Sequence, residues 1–105
     1  MSTVTVVNRK DGVQTNDIYI GRGSPLGNPF AMRDSSDMER IRVINAYRTH
    51  IIEKISGEDK DIAMINELNR IINLVSSGND VRLGCFCSPK ACHGDIIKEI
   101  IELNV

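Results

Sequence analysis

Three cysteines and one histidine lie close together in this chain. Residues 84–95 read GCFCSPKACHGD and contain every cysteine of the sequence, Cys85, Cys87 and Cys92, together with His93, one of its two histidines. Thiols and an imidazole can bind a metal, act as nucleophile and base, or recognise a ligand. We therefore expect any chemistry of this domain to take place in this segment.

Metal binding, catalysis and packing are three functions open to these side chains. The three cysteines and His93 would supply four zinc ligands. Because the side chains of the adjacent Cys92 and His93 diverge at the start of a helix, they are poorly placed to bind one ion, and we predict no structural zinc. As a nucleophile, Cys87 or Cys92 would be a thiolate whose pKa is lowered by a helix N-terminus and by His93. As packing groups, the thiols would behave as small apolar side chains.

Ligand recognition is the fourth function, and the local elements favour it. The apolar run at residues 80–83 predicts a strand, and the apolar spacing at residues 96–103 predicts a helix. Strand-to-helix turns lie at the carboxyl ends of strands, where ligands bind in α/β proteins, and a helix N-terminus attracts anions. The predicted ligand contacts of this turn are Cys87, in the pocket wall, and His93, with the N–H groups of Gly94 and Asp95.

A second unusual segment, GRGSPLGNPF at residues 21–30, contains three glycines and two prolines. Such a loop is rigid and poor in side chains, so its N–H groups can approach a ligand closely. The loop is not a nucleotide triphosphatase loop, because no lysine follows its last glycine, and it is not a dinucleotide fingerprint, because no helix begins immediately after it. The alternative to a ligand-binding loop is a turn with a purely structural role. The guanidinium of Arg22 could bind an anion, and the amide of Asn28 could bind a ribose or the edge of a base. The predicted ligand-binding residues are Gly21, Arg22, Gly23, Ser24, Gly27 and Asn28.

The rest of the pattern predicts an α/β fold. Residues 3–8 and 17–20 read as strands, and residues 37–55 as a long helix that begins at a capping box of Ser36 and Glu39. A second helix runs from about residue 62 to about residue 75. We predict one domain with a small, mainly parallel sheet of three to four strands packed with helices. The spacing predicts that one face of the long helix consists of Met38, Ile41, Ile44, Tyr47 or Arg48, Ile51 and Ile55.

Length and composition exclude several classes of protein. A chain of 105 residues with 41% hydrophobic content matches a single domain, residues 1–105. A net charge of −1 without a basic block argues against bulk nucleic-acid binding, and no apolar stretch reaches the roughly 20 residues of a membrane span. An odd number of clustered cysteines fits a reducing compartment, so we expect a cytoplasmic protein. Apolar helix surface left over by a small sheet makes a homo-oligomer plausible.

The two motifs together resemble domain of unknown function 4326, a family of small bacterial and phage domains. The resemblance rests on IYIGRGSPLGNPF at residues 18–30 and LGCFCSPKACHGDII at residues 83–97, and it spans nearly the whole chain. It implies a Rossmann-like α/β layer in which both motifs converge on one pocket with a nucleotide-derived ligand. We therefore predict a domain that captures a nucleotide metabolite or signal, with no cofactor. One alternative is a small enzyme that cleaves a glycosidic or phosphate bond, for which a cysteine is a candidate catalytic group. The other is a zinc-stabilised interaction domain.

Overall fold

Three short parallel strands form the sheet. A computed structural model describes residues 3–87 and 90–105, so Ser88 and Pro89 of the cysteine motif lie outside the described residues. The strands are β1 (Val4–Asn8), β2 (Ile18–Tyr19) and β3 (Val81–Cys85), and β3 pairs in parallel with both of the others, which gives the order β1-β3-β2. The predicted small parallel α/β sheet is confirmed. Three strands are too few to establish the Rossmann-like topology.

Within the described residues, three α-helices complete the fold: α1 (Asp37–Ser56), α2 (Ile62–Ser76) and α3 (His93–Leu103). The predicted capping box of α1 is only half formed, because Ser36 Oγ accepts the Glu39 N–H while the Glu39 carboxylate accepts the N–H of Arg33. The third helix begins at residue 93, three residues before the apolar pattern suggested, because Cys92 caps its N-terminus. None of the helices in the described part of the chain has the length and apolar content that a membrane crossing requires.

The buried face of α1 differs from the predicted one. Val43 and Tyr47 are buried in the core, whereas Met38 is 82% exposed and Ile41 is 59% exposed. The helix turns the side that carries Arg40, Val43 and Tyr47 towards the rest of the domain, and its 3.6-residue period then places Met38 and Ile41 on the opposite side. The prediction that Met38 and Ile41 share one face with the buried Tyr47 and Ile51 is therefore wrong.

The two faces of the sheet are covered differently. Alternate residues of β3 are buried in the core that the helices complete. On the other face, Arg82 forms an ion pair of 3.0 Å with the buried carboxylate of Asp17, and the Arg9 side chain lies over Gly84. The connection from β1 to β2 therefore crosses this second face, which leaves the carboxyl ends of the strands open.

Candidate functional site

A pocket of about 440 Å³ lies at the carboxyl ends of β2 and β3. The glycine-rich loop supplies one wall, the cysteine segment a second and α1 a third. Five of the ten predicted ligand-binding residues line it: Gly21, Arg22, Asn28, Cys87 and His93. The other five, Gly23, Ser24, Gly27, Gly94 and Asp95, do not line it. The two motifs thus converge on one pocket.

Close packing of the backbone explains Gly27 of the loop, and a positive φ explains Gly23. The Ser24 N–H and hydroxyl both donate to the Gly21 carbonyl, at 3.1 and 2.7 Å, and the Gly27 N–H donates to the Ser24 carbonyl at 3.1 Å. A Cβ on Gly27 would lie 2.6 Å from the Gly21 carbonyl oxygen, and Gly23 has a φ of +88°. These residues therefore shape the loop, and the N–H groups of Ser24 and Gly27 already have partners within it.

Side-chain hydrogen bonds attach this loop to α1. The buried Tyr47 hydroxyl donates to the Leu26 carbonyl at 2.7 Å. The Asn28 amide donates to the Val43 carbonyl at 3.4 Å, and its oxygen accepts the Phe30 N–H at 2.9 Å. The Asn28 side chain therefore lines the pocket with both of its polar atoms engaged within the protein.

The N-terminus of α3 is capped by its own residues. Cys92 Sγ accepts the Gly94 N–H at 3.3 Å, and the Asp95 carboxylate accepts the Cys92 N–H at 3.0 Å. The Asp95 N–H donates to the Cys92 carbonyl, also at 3.0 Å. A Cβ on Gly94 would lie 2.8 Å from Ile20 Cδ1, so glycine allows the helix to pack closely on the sheet. An anion could reach the Gly94 and Asp95 N–H groups only if these bonds were broken.

His93 lies in the pocket wall as a buried, oriented side chain. Its Nε2 is 2.6 Å from the Ile20 carbonyl oxygen, which can only accept, so Nε2 carries the proton. Burial lowers the pKa of His93, although this hydrogen bond opposes the shift. The neutral ring therefore has Nδ1 as a hydrogen-bond acceptor, with no partner among the described residues. A ligand would have to donate to it.

The thiols are free, and two of them are adjacent. Cys92 Sγ lies 3.6 Å from Cys85 Sγ, and both side chains are buried. Burial, followed by the neighbouring Cys85, raises the pKa of Cys92 to about 12, so its thiolate is scarce at neutral pH. Within residues 3–87 and 90–105, no group of three or more His, Cys, Asp or Glu side chains is arranged to hold a metal ion.

Arg40 is the pocket residue that sequence reasoning missed. Its Nη1 donates to the Ala91 carbonyl at 3.1 Å, while its Nε is buried without a hydrogen-bond partner in the described part of the chain. No Asp or Glu among the described residues lines the pocket, and Arg22 adds a second cation. A sequence signal existed, because a basic residue in the first turn of a helix opposes the helix dipole.

Most of the aromatic side chains lie around the same pocket. The chain has two phenylalanines and two tyrosines. Tyr19, Phe30 and Phe86 line the pocket and remain 36%, 36% and 54% exposed. The fourth, Tyr47, contacts the His93 ring edge to face, with centroids 5.0 Å apart. The pocket therefore offers π faces as well as cations.

Two comparisons relate the chain to known proteins. The family model described as Domain of unknown function (DUF4326) matches residues 5–103. An uncharacterized 12.4 kDa protein in the nrdA-td intergenic region of Enterobacteria phage T4 is 32% identical over 86 residues, which cover 82% of this chain and 68% of that protein. No solved structure is significantly similar to the chain. With both motifs inside the matched range, the chain belongs to the family of domain of unknown function 4326.

Proposed function

We propose that this domain binds a small anionic ligand that carries a planar ring, and that a nucleotide is the class that fits best. The observation that supports it most directly is the Nε of the pocket residue Arg40, which is buried without a hydrogen-bond partner among the described residues. A buried donor without a partner costs roughly 1–3 kcal/mol, and more when it is charged. A phosphate oxygen would remove this cost with a charge-assisted hydrogen bond.

The remaining walls suit the rest of a nucleotide. The volume of about 440 Å³ falls within the usual range for small-molecule sites. Tyr19, Phe30 and Phe86 present exposed ring surface on which a base can stack. His93 Nδ1 would accept a hydrogen bond from a sugar hydroxyl or a base N–H. Together these groups would recognise a phosphate, a ring and a donor in one pocket.

Binding is favoured over turnover as the role of this pocket. A thiol enzyme needs an accessible, ionised nucleophile. Of the two candidate nucleophiles, Cys92 is buried and its pKa is raised to about 12, and Cys87 is half-buried. The Asp95 carboxylate, a possible acid or base, is engaged in capping α3. We therefore propose capture of a nucleotide metabolite or signal as the biological role.

The proposal is tested by what the purified protein carries. We expect heating of the native protein, followed by mass spectrometry of the supernatant, to release a phosphorylated nucleoside derivative in near-stoichiometric amount. If the pocket is emptied during purification, calorimetry against a panel of nucleoside mono-, di- and cyclic phosphates should identify a binder. A protein that releases no such compound and binds none of the panel would contradict the proposal.

A further inference from the structure

We propose that Cys85 and Cys92 form a reversible disulfide, which makes the base of the pocket a site of oxidative modification. Their sulfur atoms are 3.6 Å apart, and both residues line the pocket. A disulfide requires about 2 Å between the sulfurs, so only a local side-chain movement separates the thiol pair from bonding distance. The proposal does not depend on the identity of the ligand.

The fold holds the two thiols in this position from different elements. Cys85 is the last residue of β3, where it pairs with Asn8 of β1. Cys92 is fixed by the capping interactions at the start of α3, since its sulfur accepts the Gly94 N–H and its own N–H donates to Asp95. The half-buried Cys87 has no sulfur contact among the described residues, so the geometry selects one pair out of the three cysteines.

The reaction balances with a low-molecular-weight disulfide as the oxidant. One thiolate attacks a sulfur of glutathione disulfide, which forms a mixed disulfide and releases one glutathione thiolate. The second thiolate then displaces the other glutathione and forms the Cys85–Cys92 bond. The two protein thiols are oxidised, their two protons pass to the leaving thiolates, and one glutathione disulfide is reduced to two glutathione molecules.

The bond would change the pocket wall. It would close a ring through residues 85–92, and this ring includes Phe86, Cys87 and Ala91, which line the pocket. Cys92 would also lose its S–H, and the movement of its sulfur would weaken the cap on Gly94. Oxidation would thus constrain one wall of the site while altering the start of α3.

The test uses the full chain with Cys87→Ser, so that only the proposed pair is present. The protein is equilibrated in glutathione redox buffers, quenched with acid, unfolded, alkylated and mapped by peptide mass spectrometry. A parallel sample in urea gives the reference for an unfolded chain. We expect the folded protein to form the internal disulfide at an oxidant ratio at least about tenfold lower than the unfolded chain requires.

Two results would overturn this proposal. One is an internal disulfide that is no more stable in the folded chain than in urea. The other is complete alkylation of both thiols, or glutathione adducts without the internal bond, at every buffer ratio. The control variant Cys85→Ser, Cys87→Ser retains a single cysteine and should form no internal bond. Neither overturning result would affect nucleotide binding, which is measured separately.

Discussion

At the scale of single residues, Arg40 and His93 both line the pocket and differ in hydrogen-bonding character. Among the described residues, the buried Arg40 Nε is a donor without a hydrogen-bond partner, and His93 has an acceptor, Nδ1, because its Nε2–H is bound to Ile20. A ligand that satisfies both must itself combine an anionic acceptor with a neutral donor. This combination argues for a phosphorylated nucleoside over inorganic phosphate alone.

Replacing Arg40 is expected to weaken ligand binding strongly. Arg40→Gln removes the charge and the Nε donor, and losing a charge-assisted contact of about 2 kcal/mol corresponds to roughly 30-fold in Kd. Calorimetry with the nucleotide identified from the wild type measures the change. Arg48→Gln is the matched control on the same helix, because Arg48 pairs with Glu99 at the exposed surface. Equal affinities of wild type and Arg40→Gln would exclude Arg40 from the site.

His93 should make the fold sensitive to mild acid. Its folded-state pKa is lowered, so the unfolded chain binds a proton more readily than the folded one as the pH falls below about 6.5. The contribution of His93 to the free energy of unfolding is therefore fully present above about pH 6.5, and it decreases as the pH falls towards the folded-state pKa. Urea unfolding at pH 5 to 8 measures the decrease.

The variants His93→Gln and His50→Gln separate this effect from other titrating groups. His93→Gln keeps an N–H donor for the Ile20 carbonyl but cannot be protonated, so the loss of stability between pH 7 and 5 should become smaller. His50→Gln should retain the wild-type decrease. A pH profile that is unchanged in His93→Gln would show that His93 does not cause it.

At the scale of elements, the cap of α3 can be distinguished from simple packing. Cys92→Ala removes the acceptor for the Gly94 N–H, and loss of an N-cap costs about 1 kcal/mol. Cys92→Ser supplies a better acceptor in a slightly smaller side chain, so it should cost less than Cys92→Ala. Free energies of unfolding in urea provide the comparison. If the alanine variant is as stable as the serine variant, the sulfur contributes by packing alone.

The glycine-rich loop depends on two different properties of glycine. Gly27→Ala would place a Cβ 2.6 Å from a backbone oxygen, so the loop must move, and both stability and ligand affinity should fall. Gly23 faces open space at a φ of +88°, a conformation that asparagine tolerates better than alanine. Gly23→Asn should therefore be milder than Gly23→Ala. The prediction fails if Gly27→Ala binds ligand as the wild type does.

At the scale of the whole molecule, we expect folding without metal. Structural zinc supplies folding free energy, so a zinc domain melts when a chelator removes its metal. We expect thermal melting to be the same with and without a strong chelator, and elemental analysis to find far less than one zinc per chain. About one bound zinc, together with a lower Tm after chelation, would instead support the zinc-stabilised alternative.

The sequence determined the elements and the two motifs, because these depend on residues that are near one another in the chain. Apolar periodicity located the helices that begin at residues 37 and 62 to within a residue or two. Apolar residues repeated at steps of three and four positions indicate a helix without any knowledge of the rest of the fold. The turn residues of segments 21–30 and 84–95 likewise identified two of the three walls of the pocket. The two predicted helices lie between the second and third strands, and a helical crossover of this kind is typical of parallel pairing.

The tertiary structure decided how the site is equipped, because its decisive contacts join residues far apart in sequence. Arg40 reaches the carbonyl of Ala91, and His93 reaches that of Ile20, 51 and 73 positions away. No local pattern specifies the tautomer of His93, the unpartnered Nε of Arg40 or the grouping of aromatic rings, since each depends on how α1, α3 and the sheet pack together. Local preferences therefore selected the elements, and packing between distant elements selected the chemistry that the pocket presents.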